Sequence, residues 1–253
     1  MTVRNIPLSK TSAMHYMKLL FRSGLFLLLF VVYLYDRIHT RGGQLINDFL
    51  EHPILIGLVW LIFALEMILR FFPSGIESMG CQKQFAKNYV PAAKPAPIPD
   101  DRKGVCLAAL AWLGLNGIIG GLYFSHIIDR GILLLISLAY SVCDMVCILF
   151  FCPFETWFLH NKCCGTCRIY NWDYAMMFTP LLFIPGIFSW SLCALGLALL
   201  IEWEIIRYRH PERFYEETNQ CLKCANCREK LCTHKKQLLH LHDKLHHRIH
   251  IST

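Results

Sequence analysis

The feature of this sequence that most limits its possible folds is a series of long apolar blocks separated by polar segments. At least four blocks reach the roughly 20 residues that an α-helix needs to cross the hydrocarbon core of a bilayer. We therefore predict an all-α, polytopic transmembrane helix bundle of about five spans. The predicted spans cover residues 17–35, 53–72, 105–126, 132–152 and 175–206.

The composition supports the same class of protein. Of the 253 residues, 55% are hydrophobic and only 17% are charged, and the mean hydropathy is +0.40. A soluble domain usually carries about 25% charged residues. A large soluble helical core is therefore disfavoured, and we expect a multi-pass protein of the cell membrane whose main partner is the lipid bilayer.

The fifth apolar block is too long for one untilted span. It covers 175–206, and Pro180 and Pro185 interrupt its first third. Two interpretations fit these residues. Either an interfacial or re-entrant start precedes one span, or the block is a single long kinked helix.

The orientation depends on how this block runs. An N-terminus inside the cell places the positive charges of the first polar segments, with Lys18 and Arg22 among them, in the cytoplasm, as the positive-inside rule favours. Five crossings would then place the basic C-terminal segment outside, which the rule disfavours. The conflict disappears if the fifth block re-enters the membrane without crossing it. We favour an N-terminus inside.

Two packing expectations follow from glycine and proline positions. Gly117 and Gly121 in the third span form a small-xxx-small pair, which lets helix backbones approach closely in lipid. The polar connector 74–104 contains four closely spaced prolines in its second half, which favour extended, solvated chain. We expect no packed domain in that connector.

Residues 207–253 form a basic tail rich in cysteine and histidine after the helix bundle of residues 1–206. The tail contains ten Lys and Arg, five Asp and Glu, and seven of the twelve histidines. A basic segment beside a membrane is typical of contact with anionic headgroups. Docking of a soluble protein partner is the alternative, and nucleic acid is not an expected partner.

The tail also carries the more specific of two cysteine clusters. Its spacing is C-x2-C-x2-C-x4-C, formed by Cys221, Cys224, Cys227 and Cys232. Such a run is similar to the one that holds an iron–sulfur cluster in bacterial ferredoxins, although there the fourth cysteine follows after three residues and precedes a proline. Tetrahedral zinc fits the four thiolates about as well. Zinc or an iron–sulfur cluster is therefore the predicted cofactor.

The other cluster, which we call the first cysteine cluster because it comes earlier in the chain, lies between the fourth and fifth blocks. Cys164 and Cys167 have the C-x2-C spacing that lets two thiolates reach one metal, and Cys163, Cys152 and His160 are further candidate ligands. If the fifth block crosses once, the two clusters face opposite compartments, which would suit a transmembrane thiol or electron relay. The remaining cysteines, with Cys143 and Cys147 among them, are interpreted as ordinary buried residues.

Two carboxylates lie inside predicted spans. A charge at the bilayer centre costs about 2.5–3.5 kcal/mol on insertion scales, so such residues are expected to be paired, protonated or turned inwards. Glu66 has Arg70 four residues later in the chain, and the two are expected to pair. Asp144 has no partner in its own helix, which makes it the candidate centre of a proton or cation pathway.

Part of the sequence resembles a family of uncharacterised bacterial multi-pass membrane proteins. The resemblance rests on the stretch Asn161-Lys-Cys-Cys-Gly-Thr-Cys-Arg-Ile-Tyr-Asn-Trp-Asp173 and on Met176-Met-Phe-Thr-Pro180. It covers most of the chain, from the first span through the fifth. It implies a membrane location and a bacterial source, and it carries no activity that transfers to this chain.

These features predict three alternative functions without identifying a reaction or establishing an enzyme. The first is a metal- or thiol-dependent membrane protein with a theme of redox chemistry or metal handling. The second is a small membrane transporter that uses an intramembrane carboxylate, Asp144 or Glu66. The third is a membrane scaffold that docks a soluble partner through the tail.

Overall fold

The computed structural model describes residues 10–39, 52–73, 79–93, 97–98, 101–159 and 164–226. Within these ranges the chain is helical and forms no β-strand, so the prediction of an all-helical protein is confirmed. Shorter 3₁₀ and π turns connect the α-helices, and the longest of them are Phe154–Leu159, Arg168–Trp172 and Thr179–Phe183. The α-helices are α1 (Lys10–His39), α2 (Pro53–Leu69), α3 (Met79–Gln84), α4 (Arg102–Phe124), α5 (Arg130–Leu149), α6 (Asp173–Phe178) and α7 (Ile187–Arg209).

Four of these helices, α1, α4, α5 and α7, are long and apolar enough to cross a bilayer. Helix α2 is a shorter apolar helix of 17 residues. Large apolar side chains project outwards from the bundle, as in Leu20 (72% exposed), Ile54 (68%) and Ile187 (80%). Extensive exposed apolar surface is rare on soluble monomers. The chain is therefore a membrane protein.

Helices α1, α2, α4 and α5 alternate in direction. Helices α1 and α5 are antiparallel, because Arg22 pairs with Asp144 while Arg37, further along α1, pairs with Asp129 just before α5. Helix α2 is antiparallel to α1, since Glu66 in its last turn also pairs with Arg22. We call the end of the bundle that holds Lys10, Leu69, Arg102 and Leu149 the N-terminal end, and the opposite end the far end.

The fifth apolar block descends through the bundle from the N-terminal end. At its start, the Tyr174 hydroxyl donates a hydrogen bond to Glu66 over 3.0 Å. Nine residues later, the Phe183 ring packs edge-on against Phe124, the last residue of α4 at the far end, with 5.8 Å between ring centroids. Residues 173–183 therefore cover most of the depth of the bundle.

Helix α7 then returns to the N-terminal end. Near its start, Ser191 accepts a hydrogen bond from Trp60 of α2 over 2.8 Å. Near its end, Arg207 pairs with Asp101, the residue before α4, over 2.6 Å. Both ends of the fifth block thus lie at the N-terminal end, and the structure has a broken segment followed by one long helix.

The first part of the broken segment, residues 173–181, is tolerated because other parts of the protein pack around it. Its helix changes to a 3₁₀ turn at Thr179–Phe183, where Pro180 cannot donate a backbone hydrogen bond, and Pro185 follows two residues later. The Ser137 hydroxyl of α5 donates to the carbonyl oxygen of Met177 over 2.9 Å and so satisfies one backbone acceptor. Non-helical backbone at membrane depth occurs only where it is buried in protein or lines a cavity.

Polar segments at the N-terminal end pack together into what we call the cap, formed by residues 79–93, 164–172 and 210–222. Gln84, which is 1% exposed, donates to the carbonyl oxygen of Gly165 and accepts from the Asn171 amide, each over 2.9 Å. Asn219 donates to the Lys83 carbonyl oxygen over 3.1 Å. The cap therefore joins the connector, the first cysteine cluster and the start of the tail.

We expected no packed domain in the connector 74–104. This expectation is wrong for residues 79–93, which pack in the cap. The backbone N–H of Ala92 donates to Thr218, and that of Gln220 donates to Val90. These bonds provide partners from the tail for a proline-rich backbone that has few partners of its own. The composition of the connector alone gave no sign of them.

The prediction of a packing face at Gly117 and Gly121 is also wrong within this chain. A Cβ atom at either position would meet nothing within 4 Å in the described part of the protein. The close approaches on α4 occur at Gly104, where a Cβ would lie 2.3 Å from the Phe158 carbonyl oxygen, and at Gly120, where it would lie 2.6 Å from the Phe183 ring.

Replacing Gly104 and Gly117 separately by alanine tests this packing on one helix. We expect Gly104→Ala to lower the free energy of unfolding by about 1–3 kcal/mol, the usual effect of overpacking against backbone. Gly117→Ala, the matched control, should leave it unchanged or raise it by up to about 1 kcal/mol, since alanine favours a helix over glycine. Unfolding of the purified protein in detergent, followed by circular dichroism, measures both. Equal effects would contradict the close approach at Gly104.

Single cysteines in a cysteine-free background test the path of the fifth block. Lys87, Ser125 and Ala225 are all exposed, and each is replaced in turn. We expect a membrane-impermeant maleimide to label positions 87 and 225 from the same side of the membrane and position 125 from the other. A single crossing of the block would instead place position 225 on the same side as position 125. Intact cells expose the outer face of the membrane to the maleimide, and inverted vesicles expose the cytoplasmic face.

Candidate functional site

A buried arginine joins three helices near the N-terminal end of the bundle. Arg22 of α1 is 1% exposed. Its guanidinium donates to the Glu66 carboxylate of α2 over 2.7 Å and to the Asp144 carboxylate of α5 over 2.9 Å. It also donates to the carbonyl oxygen of Ser141 over 3.1 Å. Both predicted intramembrane carboxylates are therefore paired, and they share one cation.

Glu66 has two further partners. The Tyr174 hydroxyl donates to it over 3.0 Å, and the Lys18 ammonium lies 3.5 Å from its other oxygen. The Arg22 guanidinium is also close to the Phe63 ring, with 5.5 Å to the centroid. The Glu66 carboxylate is thus surrounded by side chains of α1 and α6 as well as by its own helix.

The prediction that Glu66 pairs with Arg70 is wrong. Arg70 follows the last residue of α2 and instead forms an ion pair with Asp173 over 2.6 Å. Its guanidinium also lies 4.6 Å from the centroid of the Tyr174 ring. Because Arg22 and Lys18 already occupy Glu66, the otherwise unpaired carboxylate of Asp173 is the better partner for Arg70.

The three cations and three carboxylates described above have a net charge of zero. Loss of one member of a buried ion pair typically costs about 3–5 kcal/mol, because the remaining charge is left without compensation. The arrangement therefore fixes the positions of α1, α2, α5 and the start of α6. We call this set the charge network, and it consists of Lys18, Arg22 and Arg70 with Glu66, Asp144 and Asp173.

A cavity of about 240 Å³ lies beside the charge network, between α4 and α5. Trp112 and Leu115 of α4 face Tyr140 and Asp144 of α5 across it, and Tyr170 of the cap closes the N-terminal end. Leu115 is 51% exposed as well as lining the cavity, so the cavity reaches the surface that faces lipid. Apart from a few polar atoms, its wall is apolar.

Four cysteines line this cavity: Cys143, Cys147, Cys152 and Cys167. The thiols of Cys147, in the last turn of α5, and of Cys152, three residues after that helix, are close enough to hydrogen-bond. Cys167 is buried at the edge of the cap. The cavity wall therefore contains a neighbouring pair of thiols with two further thiols around it.

This arrangement combines predicted and overlooked residues. Cys152 and Cys167 belong to the predicted first cluster, whereas Cys143 and Cys147 were interpreted as ordinary buried cysteines. The signal that identifies them is their spacing: residues four apart share a helix face, and Cys152 follows within five residues of Cys147. Cys163 and His160 lie outside the described residues, and of Cys164 the structure describes only a 3₁₀ turn of backbone.

Among the residues that the structure describes, no group of three or more His, Cys, Asp or Glu side chains is placed to hold a metal ion. In the tail cluster, the Cys221 thiol donates to the Asn88 carbonyl oxygen over 2.9 Å. The backbone of Cys224 belongs to a 3₁₀ turn, while Cys227 and Cys232 lie outside the described residues. Metal binding by the tail stays a prediction.

The cap holds the end of α7 through another ion pair. Arg168 donates to Glu204 of α7, with 2.9 Å between Nε and the nearer carboxylate oxygen, and the Trp172 indole donates to the same carboxylate over 2.7 Å. The hydrogen bonds to Glu204 raise the pKa of the Arg168 guanidinium. These contacts position the segment that carries Cys167.

In comparisons with protein-family models, curated proteins and solved structures, this chain had no match. The resemblance to bacterial multi-pass membrane proteins therefore stays a prediction that rests on the residues quoted for it. The function has to be argued from the charge network and the cavity themselves.

Substitution of Arg22 tests the charge network. We expect Arg22→Met to lower the free energy of unfolding by about 3–5 kcal/mol, because it leaves Glu66 and Asp144 buried without their shared cation. The triple variant Arg22→Met, Glu66→Gln, Asp144→Asn should recover much of that loss, since it removes the charges together. Unfolding in detergent provides the measurement.

Arg37 provides a matched control on the same helix. It also pairs with an aspartate, Asp129, over 2.7 Å, but its side chain is 56% exposed. Exposed pairs contribute at most about 1 kcal/mol, so Arg37→Met should have a small effect. A loss for Arg22→Met no larger than that for Arg37→Met would show that the network does not stabilise the bundle.

Proposed function

We propose that this chain is a thiol-dependent membrane protein in which Cys147 and Cys152 alternate between a dithiol and a disulfide. In the exchange, both thiols lose their hydrogens and form one S–S bond, while a partner disulfide is cleaved to two thiols. The observation that carries the proposal is that both thiols line one accessible cavity and lie close enough to hydrogen-bond.

The surroundings of the pair support a reactive role over simple packing. Free cysteine is a common buried residue, and a single one needs no explanation. Here two thiols five residues apart lie close together, one in the last turn of α5 and one after it, and both are partly exposed. Cys143 and Cys167 line the same cavity, so a mixed disulfide formed at the pair would have further thiols nearby to resolve it.

We also propose that the N-terminal end of the bundle faces the cytoplasm. Of the 25 Lys and Arg residues, only three belong to the stretch from the last turn of α1 to the start of α2 or to the stretch from the end of α4 through the first turn of α5, namely Arg37, Arg41 and Arg130. The two passes of the fifth block bring the start of the basic tail to the same end as Lys10. This distribution agrees with the positive-inside rule and removes the conflict that a single crossing creates.

In this orientation both cysteine clusters belong to a reducing compartment, where stable structural disulfides are rare. The hypothesis of a thiol relay between opposite compartments then loses its premise. A pair that is reduced at rest and oxidised transiently during turnover is the form of thiol chemistry that the cytoplasmic side favours.

The finer parts of the sequence-based prediction are retained as proposals. About five helices cross the cell membrane, namely α1, α2, α4, α5 and α7, and residues 173–186 form a re-entrant segment among them. Cys221, Cys224, Cys227 and Cys232 bind zinc or an iron–sulfur cluster, a role that a reducing compartment supports by keeping thiols free. The basic tail contacts anionic lipid or a soluble partner.

A transporter centred on Asp144 is less well supported. Its carboxylate is held by Arg22 at 2.9 Å within a neutral network, and an ion pathway would have to break that pair. The same holds for Glu66, which has three partners. The contacts favour a structural role for both carboxylates.

Mild oxidation tests the thiol pair. With oxidised glutathione, the full-length protein should lose two labelled thiols and gain one disulfide between Cys147 and Cys152. Thiol trapping followed by peptide mass spectrometry identifies the linkage. Cys147→Ser and Cys152→Ser should each abolish that disulfide and leave the other cysteine joined to glutathione.

Cys193→Ser is the matched control. Cys193 also lies in a span, but its thiol donates to the Phe178 carbonyl oxygen and does not line the cavity. This variant should form the Cys147–Cys152 disulfide as readily as the unmodified protein. If no disulfide forms at this pair, or if other pairs form at equal rates, the proposed function is wrong.

A further inference from the structure

The cavity between α4 and α5 contains a hydrogen-bond donor that the protein itself does not use. The indole N–H of Trp112 is buried and has no hydrogen-bond partner among the described residues. Trp112 lines the cavity together with Tyr140, whose hydroxyl lies beside the Asn116 amide. Leaving a buried donor unsatisfied costs about 1–3 kcal/mol, so the indole N–H indicates a missing acceptor in this wall.

Asn116 belongs to the same group of atoms. It is 3% exposed, and its amide N–H donates to the Trp112 carbonyl oxygen over 3.0 Å while its Oδ1 has no partner in the described part of the chain. It lies one turn after Trp112 and beside the Tyr140 hydroxyl. Polar atoms therefore concentrate at one place in a wall that is otherwise apolar.

The shape of the cavity limits what could supply the acceptor. Its volume of about 240 Å³ is below the roughly 300–1,000 Å³ of sites for drug-sized ligands. It therefore suits one ring, with the rest of a longer molecule outside. Leu115 and Cys143 are both exposed and line the cavity, so a chain attached to the ring would leave between α4 and α5 into the hydrocarbon.

We propose that this cavity binds the ring of a lipid-soluble quinone, which accepts electrons from the Cys147–Cys152 pair. The ring is flat and apolar, and one of its carbonyl oxygens is the acceptor that the Trp112 indole N–H lacks. This inference rests on the proposed dithiol chemistry: the quinone takes the place of a partner disulfide as the oxidant of the pair. A partner dithiol then reduces the Cys147–Cys152 disulfide by exchange and becomes a disulfide itself.

The electron balance of the step is complete. The two thiols lose two electrons and two protons and form one S–S bond. The quinone gains two electrons and two protons and becomes a quinol. Separated charge is costly in an apolar site, so an acceptor that takes protons together with electrons suits thiols in this wall better than one that takes electrons alone.

The test uses the full-length protein in detergent, reduced and then freed of reductant without oxygen. The probe is a short-chain benzoquinone that is substituted at every ring position, so that thiols have no free carbon to which they can add. We expect each protein molecule to form up to one quinol, which the loss of quinone absorbance measures. We also expect the Cys147–Cys152 disulfide to form, which mass spectrometry identifies.

Variants separate the ligand from the thiols. Trp112→Phe keeps an aromatic ring and removes the N–H, so the quinone concentration that gives half the maximal rate should rise about tenfold, the factor that one hydrogen bond is worth. The maximal rate should change little. Trp190→Phe is the matched control: Trp190 is 55% exposed, does not line the cavity, and should leave both values unchanged.

Cys147→Ser should bind the quinone, as equilibrium dialysis would show, and form no quinol. If oxidised glutathione produces the Cys147–Cys152 disulfide but the quinone produces no quinol, this inference fails while the proposed function stands. If neither oxidant produces the disulfide, both fail. Equal half-saturation in Trp112→Phe and the unmodified protein, or quinol formation by the Cys147→Ser, Cys152→Ser double variant, would also overturn the quinone site.

Discussion

The rest of the structure depends on the neutralisation of Arg22. A guanidinium in a low-dielectric bundle needs carboxylates at hydrogen-bonding distance, because an unpaired charge there is far more costly than in water. Its planar fork reaches two partners at once, Glu66 through one nitrogen and Asp144 through the other. A lysine ammonium is a compact point charge without that fixed fork. The arginine therefore sets the positions of α1, α2 and α5 relative to one another.

The same network controls the path of the chain after α5. Tyr174 donates to Glu66, and Asp173 binds Arg70, so the start of the fifth block is fixed at the N-terminal end. From that point the chain has no long uninterrupted helix until α7, because Pro180 and Pro185 break the hydrogen-bond ladder. A broken backbone has to be surrounded by protein, and α5 and α7 provide that cover. The return of α7 then brings the tail to the end where the chain begins.

The sequence predicted the features that depend on composition along the chain. Block length identified the long helices, since the hydrocarbon core requires about 20 apolar residues whatever the tertiary arrangement. Carboxylates in spans were expected to be paired, protonated or turned inwards, and both are paired. The partner was missed, because Arg22 was counted with the positive N-terminal flank and Glu66 was assigned a cation in its own helix. Pairing between helices depends on which faces meet, and one sequence does not determine that.

The same limit explains why the cysteines of α5 were overlooked. Cys143 and Cys147 flank Asp144 and share one helix face, but their importance depends on the rotation of α5. Arg22 holds Asp144 in contact with α1, while Cys143 and Cys147 line the cavity beside α4. The chain after α5 then brings Cys152 to Cys147. A charge contact between α1 and α5 thus determines which thiols meet, and it connects the stability of the bundle to the chemistry of the cavity.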